Sequence, residues 1–118
     1  MIKNFEKITS ELTDKEKELV HPIIEGFKRY TKENPIKAQD VVLRFNSYRN
    51  SRDLTEPRLR KIVNFIRTNG MLPLIATSNG YYVSTDPQEI QDQIKSLIQR
   101  SNAILNCANG LQKFLPKK

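Results

Sequence analysis

Between residues 56 and 86 the apolar period of the chain changes twice, and those changes limit the folds open to it. In "PRLRKIVNFIRTNG" the apolar residues Leu59, Ile62, Val63 and Ile66 recur at helical spacing. Asn69-Gly70 then closes the helix, glycine supplying the left-handed cap. "LPLIA" and "YYVS" read as two short strands around Asn79-Gly80, a strong signal for a two-residue hairpin. With a type I′ turn there, Ser78 faces Tyr81, Thr77 faces Tyr82 and Ala76 faces Val83. "DPQE" restarts a helix, with Asp86 as cap, Pro87 at the first position and Glu89 completing a capping box. Two short strands do not form a stable sheet by themselves. The expected fold class is therefore mainly α with a small β-hairpin.

Upstream, Thr13 and Glu16 form a capping box for a first helix over about 13 to 32, with Leu19, Val20, Ile23, Ile24 and Phe27 on one face. Pro22 removes one backbone bond inside it and predicts a kink near residues 18 to 22. "IKAQDVVLRFN" predicts a second helix over about 37 to 46 with Val41, Val42 and Phe45 buried, and "SYRNSRD" a connecting loop. Thr55 caps the third helix, with Pro57 in its first turn. A chain of 118 residues is the size of one small domain with an appended element. The divisions expected are a tail over 1–12, a three-helix-plus-hairpin domain over 13–85, and a C-terminal helix and tail over 86–118, the helix itself running to about 115. The ends "MIKNF" and "PKK" are expected to fray.

The net charge of +7 is unevenly spread. Residues 1 to 34 balance seven basic against seven acidic side chains, whereas residues 35 to 84 hold eight basic and three acidic. Six of those eight cations are arginine, whose planar fork binds phosphate and guanine edges bidentately, so a polyanionic partner is expected. On the third helix Arg60, Lys61, Asn64, Arg67 and Thr68 occupy a contiguous polar arc of roughly 80° to 200° from Leu59. Phe65 lies off the core stripe and is expected to pack under the hairpin or against the first helix. Tyr81 and Tyr82 point to opposite faces of the hairpin, one toward the core and one outward.

Three helices followed at once by a hairpin resembles a winged helix-turn-helix. The likeness runs from "IKAQDVVLRF" through "TEPRLRKIVNFIRTNGMLPLIATSNGYYVSTDPQEI" and is similar to the winged-helix proteins of bacterial prophages and mobile elements. The resemblance implies double-stranded DNA binding, with the third helix in the major groove and the hairpin wing on the neighbouring backbone. Arg58, Arg60, Lys61, Asn64 and Arg67 would then be contacts of that helix, and Asn79 and Tyr81 contacts of the wing. Arg49 and Arg52, on the loop, would add backbone contacts. The loop over 47 to 54 is longer than the tight turn of a simple helix-turn-helix.

Other chemistries find little support. His21 and Cys107 are a lone histidine and a lone cysteine, too few for a zinc site, and Cys107 is expected to be buried and inert. No phosphate-cradling glycine motif or paired carboxylates stand out, so no enzyme activity, cofactor or small-molecule ligand is expected. The charged N-terminus has no apolar run of signal-peptide type and no span suits a membrane, which points to a cytoplasmic protein. In the last helix Ile90, Ile94, Leu97, Ser101, Ile104, Ala108, Leu111 and Leu115 alternate spacings of four and three, a heptad seam that predicts a homodimer. The competing reading of that stripe is packing back onto the domain. The function expected is that of a transcriptional regulator or accessory factor of a phage or mobile element. The alternative is a winged-helix protein-interaction module in a replication or packaging complex.

Overall fold

The computed structural model describes residues 11–116, in two compact units whose boundary falls between Thr85 and Asp86. The first unit holds α1 (Asp14–Phe27), α2 (Ala38–Arg49), α3 (Glu56–Thr68) and an antiparallel pair, β1 (Leu74–Thr77) and β2 (Gly80–Val83). The second is α4 (Pro87–Leu111) followed by a 3-10 turn, Gln112–Phe114. The protein is mainly helical with a two-stranded sheet, and among the described residues no helix is long and apolar enough to cross a membrane. "MIKNF", the last two residues of "PKK" and most of the expected tail over 1–12 lie outside the described residues. Leu12, assigned to that tail, is instead buried in the core at the entrance to α1.

Helix α1 begins as its capping box dictates. The Thr13 amide donates to Glu16 Oε1 at 2.9 Å and the Glu16 amide to Thr13 Oγ1 at 3.2 Å. It continues through Pro22 and buries Leu19, Val20, Ile23, Ile24 and Phe27. It stops at Phe27 rather than near 32, because the following chain turns to meet the hairpin: the Val83 amide donates to the Tyr30 carbonyl at 3.1 Å. Helix α3 supplies the opposing stripe, Leu59, Ile62, Val63 and Ile66, all buried. Thr55 Oγ1 accepts from the Arg58 amide at 3.3 Å at its start, and Gly70, with φ of 61°, turns the chain at its end.

Helix α2 runs three residues further than expected, to Arg49, and shortens the loop before α3. Asn50 ends it in the left-handed region with φ of 49°, a conformation asparagine tolerates. Asn46 then clamps the loop, its Nδ2 donating to the Leu54 carbonyl at 2.8 Å and its Oδ1 accepting from the Leu54 amide at 3.1 Å. Leu54 is thereby held in the core. No residue of α2 is fully buried; Val41, Val42 and Phe45, expected inside, are half-buried.

The hairpin register differs from the expected one. Thr77 faces Gly80, Ala76 faces Tyr81, Ile75 faces Tyr82 and Leu74 faces Val83, so Ser78 and Asn79 form the turn. Neither turn residue has positive φ, which excludes a type I′ turn. Gly80 serves a different contact: the Ile36 backbone lies against β2, its amide donating to Tyr81 O at 2.9 Å and its carbonyl accepting from Tyr81 N at 2.8 Å. A Cβ on Gly80 would sit 2.5 Å from the Ile36 carbonyl oxygen, and its φ of 128° is itself one that side chains disfavour. Residue 36 is thus a one-bridge third strand that the sequence pattern did not reveal.

Candidate nucleic-acid interface

Helix α3 carries the cations expected to meet a polyanion, and its two flanks hold them differently. On the α1 flank lies Glu16, whose side chain is only 7% exposed. Lys61 Nζ reaches its Oε1 at 2.7 Å and Arg58 Nε its Oε2 at 3.2 Å. Arg58 Nη1 also donates to the Asp53 carbonyl at 2.7 Å, and Asp53 pairs with Lys15 at 3.1 Å. Burial pushes the Glu16 carboxyl up, but hydrogen bonds from Lys61 and the Thr13 amide, the Lys61 charge and the Arg58 hydrogen bond together hold it below the usual glutamate range. Arg58 and Lys61, expected as DNA contacts, are therefore committed to joining α3 to α1. A buried carboxylate stripped of its partners is costly, so they are not readily released.

The hairpin flank carries a row in which Arg60 is exposed and Asn64 and Arg67 are half-buried. Arg60, Asn64 and Arg67 follow one another at i, i+4 and i+7, spanning about 10 Å of helix. Arg60 pairs with Glu56 at 3.6 Å with both side chains 46% exposed, a contact that contributes a few tenths of a kcal/mol and exchanges easily for a phosphate. Burial pushes the Tyr81 phenol above its ordinary value, while the charges of Arg60 and Arg67 pull it partly back and Glu56 adds to the rise. Both arginines thus act electrostatically on the hydroxyl of β2. Neither tyrosine points freely outward: Tyr82 is buried, and the Tyr81 ring meets Phe27 edge-on at 5.5 Å and 69°. Phe65 is half-buried and packs on the core.

The remaining expected contacts are scattered. Asn79 is exposed at the hairpin turn, where its amide donates to Thr77 Oγ1 at 3.2 Å. Arg52 is exposed on the loop. Arg49 is the last residue of α2 rather than a loop residue, and its guanidinium lies 5.4 Å from the Phe45 ring centroid. Glu16 was read in the sequence as a cap alone. A signal for its second role was present, since it falls on the α1 apolar stripe three and four residues before Leu19 and Val20, where a carboxylate must find partners.

In the second unit the heptad residues Ile94, Leu97, Ser101, Ile104, Ala108 and Leu111 are all exposed. Ile98 and Leu105 lie beside them, also exposed, and widen the stripe. Leu115 leaves the seam: it follows the 3-10 turn in an extended conformation, φ −76° and ψ 142°, as expected of a residue before proline. Cys107 is exposed rather than buried, as is every neighbour on that part of α4. Among the described residues no group of three or more His, Cys, Asp or Glu side chains is arranged to hold a metal ion. Comparison of the chain with protein-family models, with curated proteins and with solved structures finds no match.

Proposed function

We propose that the first unit is a winged-helix domain that binds double-stranded DNA through α3 and the hairpin, and that α4 pairs two copies so that two such helices act on one site. The observation that carries this reading is the Arg60, Asn64 and Arg67 row beside Tyr81. Arginine binds guanine edges or phosphate and asparagine pairs with adenine, so the row combines backbone positioning with base readout. The strand-like bridge at Ile36 supports the winged-helix reading, because it ties the hairpin to the segment between α1 and α2. The resemblance suggests the setting, a regulator or accessory factor of a phage or mobile element in the cytoplasm. The exposed α4 stripe supports a homodimer, in which linked sites raise affinity by effective concentration.

A salt titration of binding to duplex DNA tests the first part. Arg58 and Lys61 are held by Glu16, and with Arg52, Arg60 and Arg67 taken as the phosphate contacts log affinity falls with log salt at a slope near −3. No complex with micromolar duplex at low salt would remove the reading and promote the protein-interaction alternative. Sedimentation equilibrium tests the second part: the intact chain sediments as a dimer at tens of micromolar and a chain ending at Arg100 as a monomer. A monomeric intact chain overturns the pairing.

A further inference from the structure

A second surface lies between α1 and α2, which leave a cleft of about 460 Å³. Beneath it lie the core residues Ile23, Phe27 and Ile36, and the apolar surface it offers comes from half-buried Val41 and Phe45 and exposed Tyr48, all on α2. Helix α2 carries more apolar surface than the core uses: none of its residues is fully buried, and Tyr48, which lines the cleft, is 92% exposed. A helix in water with that much uncovered apolar area has a surface suited to a partner.

The rim of the cleft specifies the charge of that partner. Arg29, Arg44 and Arg49 line it. Arg44 Nη1 is steadied by the Tyr30 hydroxyl at 2.8 Å, and Arg49 by the Phe45 ring. Among the described residues the one carboxylate in the lining, Glu25, is already matched by Lys28 at 2.6 Å. A trough with apolar lining, three arginines and, among the described residues, no unmatched acid fits a chain that is apolar on one side and acidic on its flanks. Two helices form the walls, and a groove between helices is filled most closely by the ridge of a third.

We propose that the α1–α2 cleft docks an acidic amphipathic helix of a partner protein. Apolar side chains at i, i+3 or i+4, and i+7 enter the trough, and flanking glutamates or aspartates meet Arg29, Arg44 and Arg49. Duplex DNA satisfies the arginines but leaves Val41, Phe45 and Tyr48 uncovered. A second copy of this chain offers α4, whose acids Glu89 and Asp92 are offset by Lys95 and Arg100, so it lacks the complementary charge. The cleft residues are distinct from the Arg60, Asn64 and Arg67 row, so this site stands independently of the DNA reading and would let one molecule hold both partners.

Fluorescence anisotropy of the full chain with three dye-labelled peptides, two designed ones of about 16 residues and the 25-residue α4 segment, tests the proposal. One probe carries leucine at i, i+3, i+7 and i+10 with glutamate on the flanks; the second replaces each glutamate by lysine; the third is residues 87–111 of this chain. The glutamate probe is expected to bind at tens of micromolar and at least tenfold more tightly than either of the others. The exposed-site variant Tyr48→Ala should weaken it severalfold, and Arg44→Glu with Arg49→Glu at least tenfold, with the thermal midpoint of each variant preserved. No binding of the glutamate probe near millimolar protein, equal binding of the lysine or α4 probe, insensitivity to both variants, or displacement by equimolar duplex DNA overturns it.

Discussion

On the α1 side of α3, Lys61 and Arg58 reach a buried carboxylate at 2.7 and 3.2 Å; on the hairpin side, Arg60 meets a half-exposed one at 3.6 Å. The residue types are alike and the sequence positions adjacent, yet the surroundings of the counter-charge separate them. Glu16 is largely buried, so its cations are held by the cost of leaving it alone. Glu56 is solvated, so its arginine can trade partners at little cost. A basic helix face is therefore not one functional surface, and counting its charges overstates what a polyanion meets.

Substitutions sharpen this contrast in order of size. Ile62→Ala, under both flanks in the core, should cost about 2–5 kcal/mol in chemical denaturation by opening a cavity at a fully buried site. Glu16→Ala should cost about 2–3 kcal/mol, since it removes a capping-box partner and the anchor of two cations together. A loss for Glu16→Ala no larger than a surface substitution would show that the α1 flank is not structurally bound.

Acid offers a second handle on the same flank. The folded-state pKa of Glu16 is lowered, so its contribution to stability is complete above the ordinary glutamate value and is lost as pH falls through the lowered folded value. Denaturation midpoints of the parent should drop more steeply over that acid window than those of Glu16→Gln. Parallel curves would contradict the ion network. Smallest in stability is Arg60→Ala, expected within about 0.5 kcal/mol of the parent while DNA binding weakens.

The sequence made the core stripes of α1 and α3 legible because each is a local period, and the helix starts legible because Thr13, Thr55 and Asp86 act on amides two or three residues away. Contacts between distant segments were not legible. The pairing of Glu16 with Arg58 and Lys61 joins residues more than 40 positions apart. The hairpin register failed for the same reason: Asn79-Gly80 reads locally as a turn pair, but Gly80 is needed where the Ile36 carbonyl approaches β2. In α2, Val41, Val42 and Phe45 predicted burial, whereas all three are half covered and two of them, Val41 and Phe45, line the cleft beside α1. At the site, the arginine face was legible and its division into two flanks was not.

The salt dependence of DNA affinity, measured side by side for the parent, Lys61→Met and the Arg60→Ala, Arg67→Ala double variant, tests the division of α3 most directly. The double variant should lower the slope of log affinity against log salt by about 2, while Lys61→Met changes it by less than about half a unit. A Lys61→Met slope reduced as much as a lost phosphate contact requires, or a double variant with the parent's slope, would contradict the account.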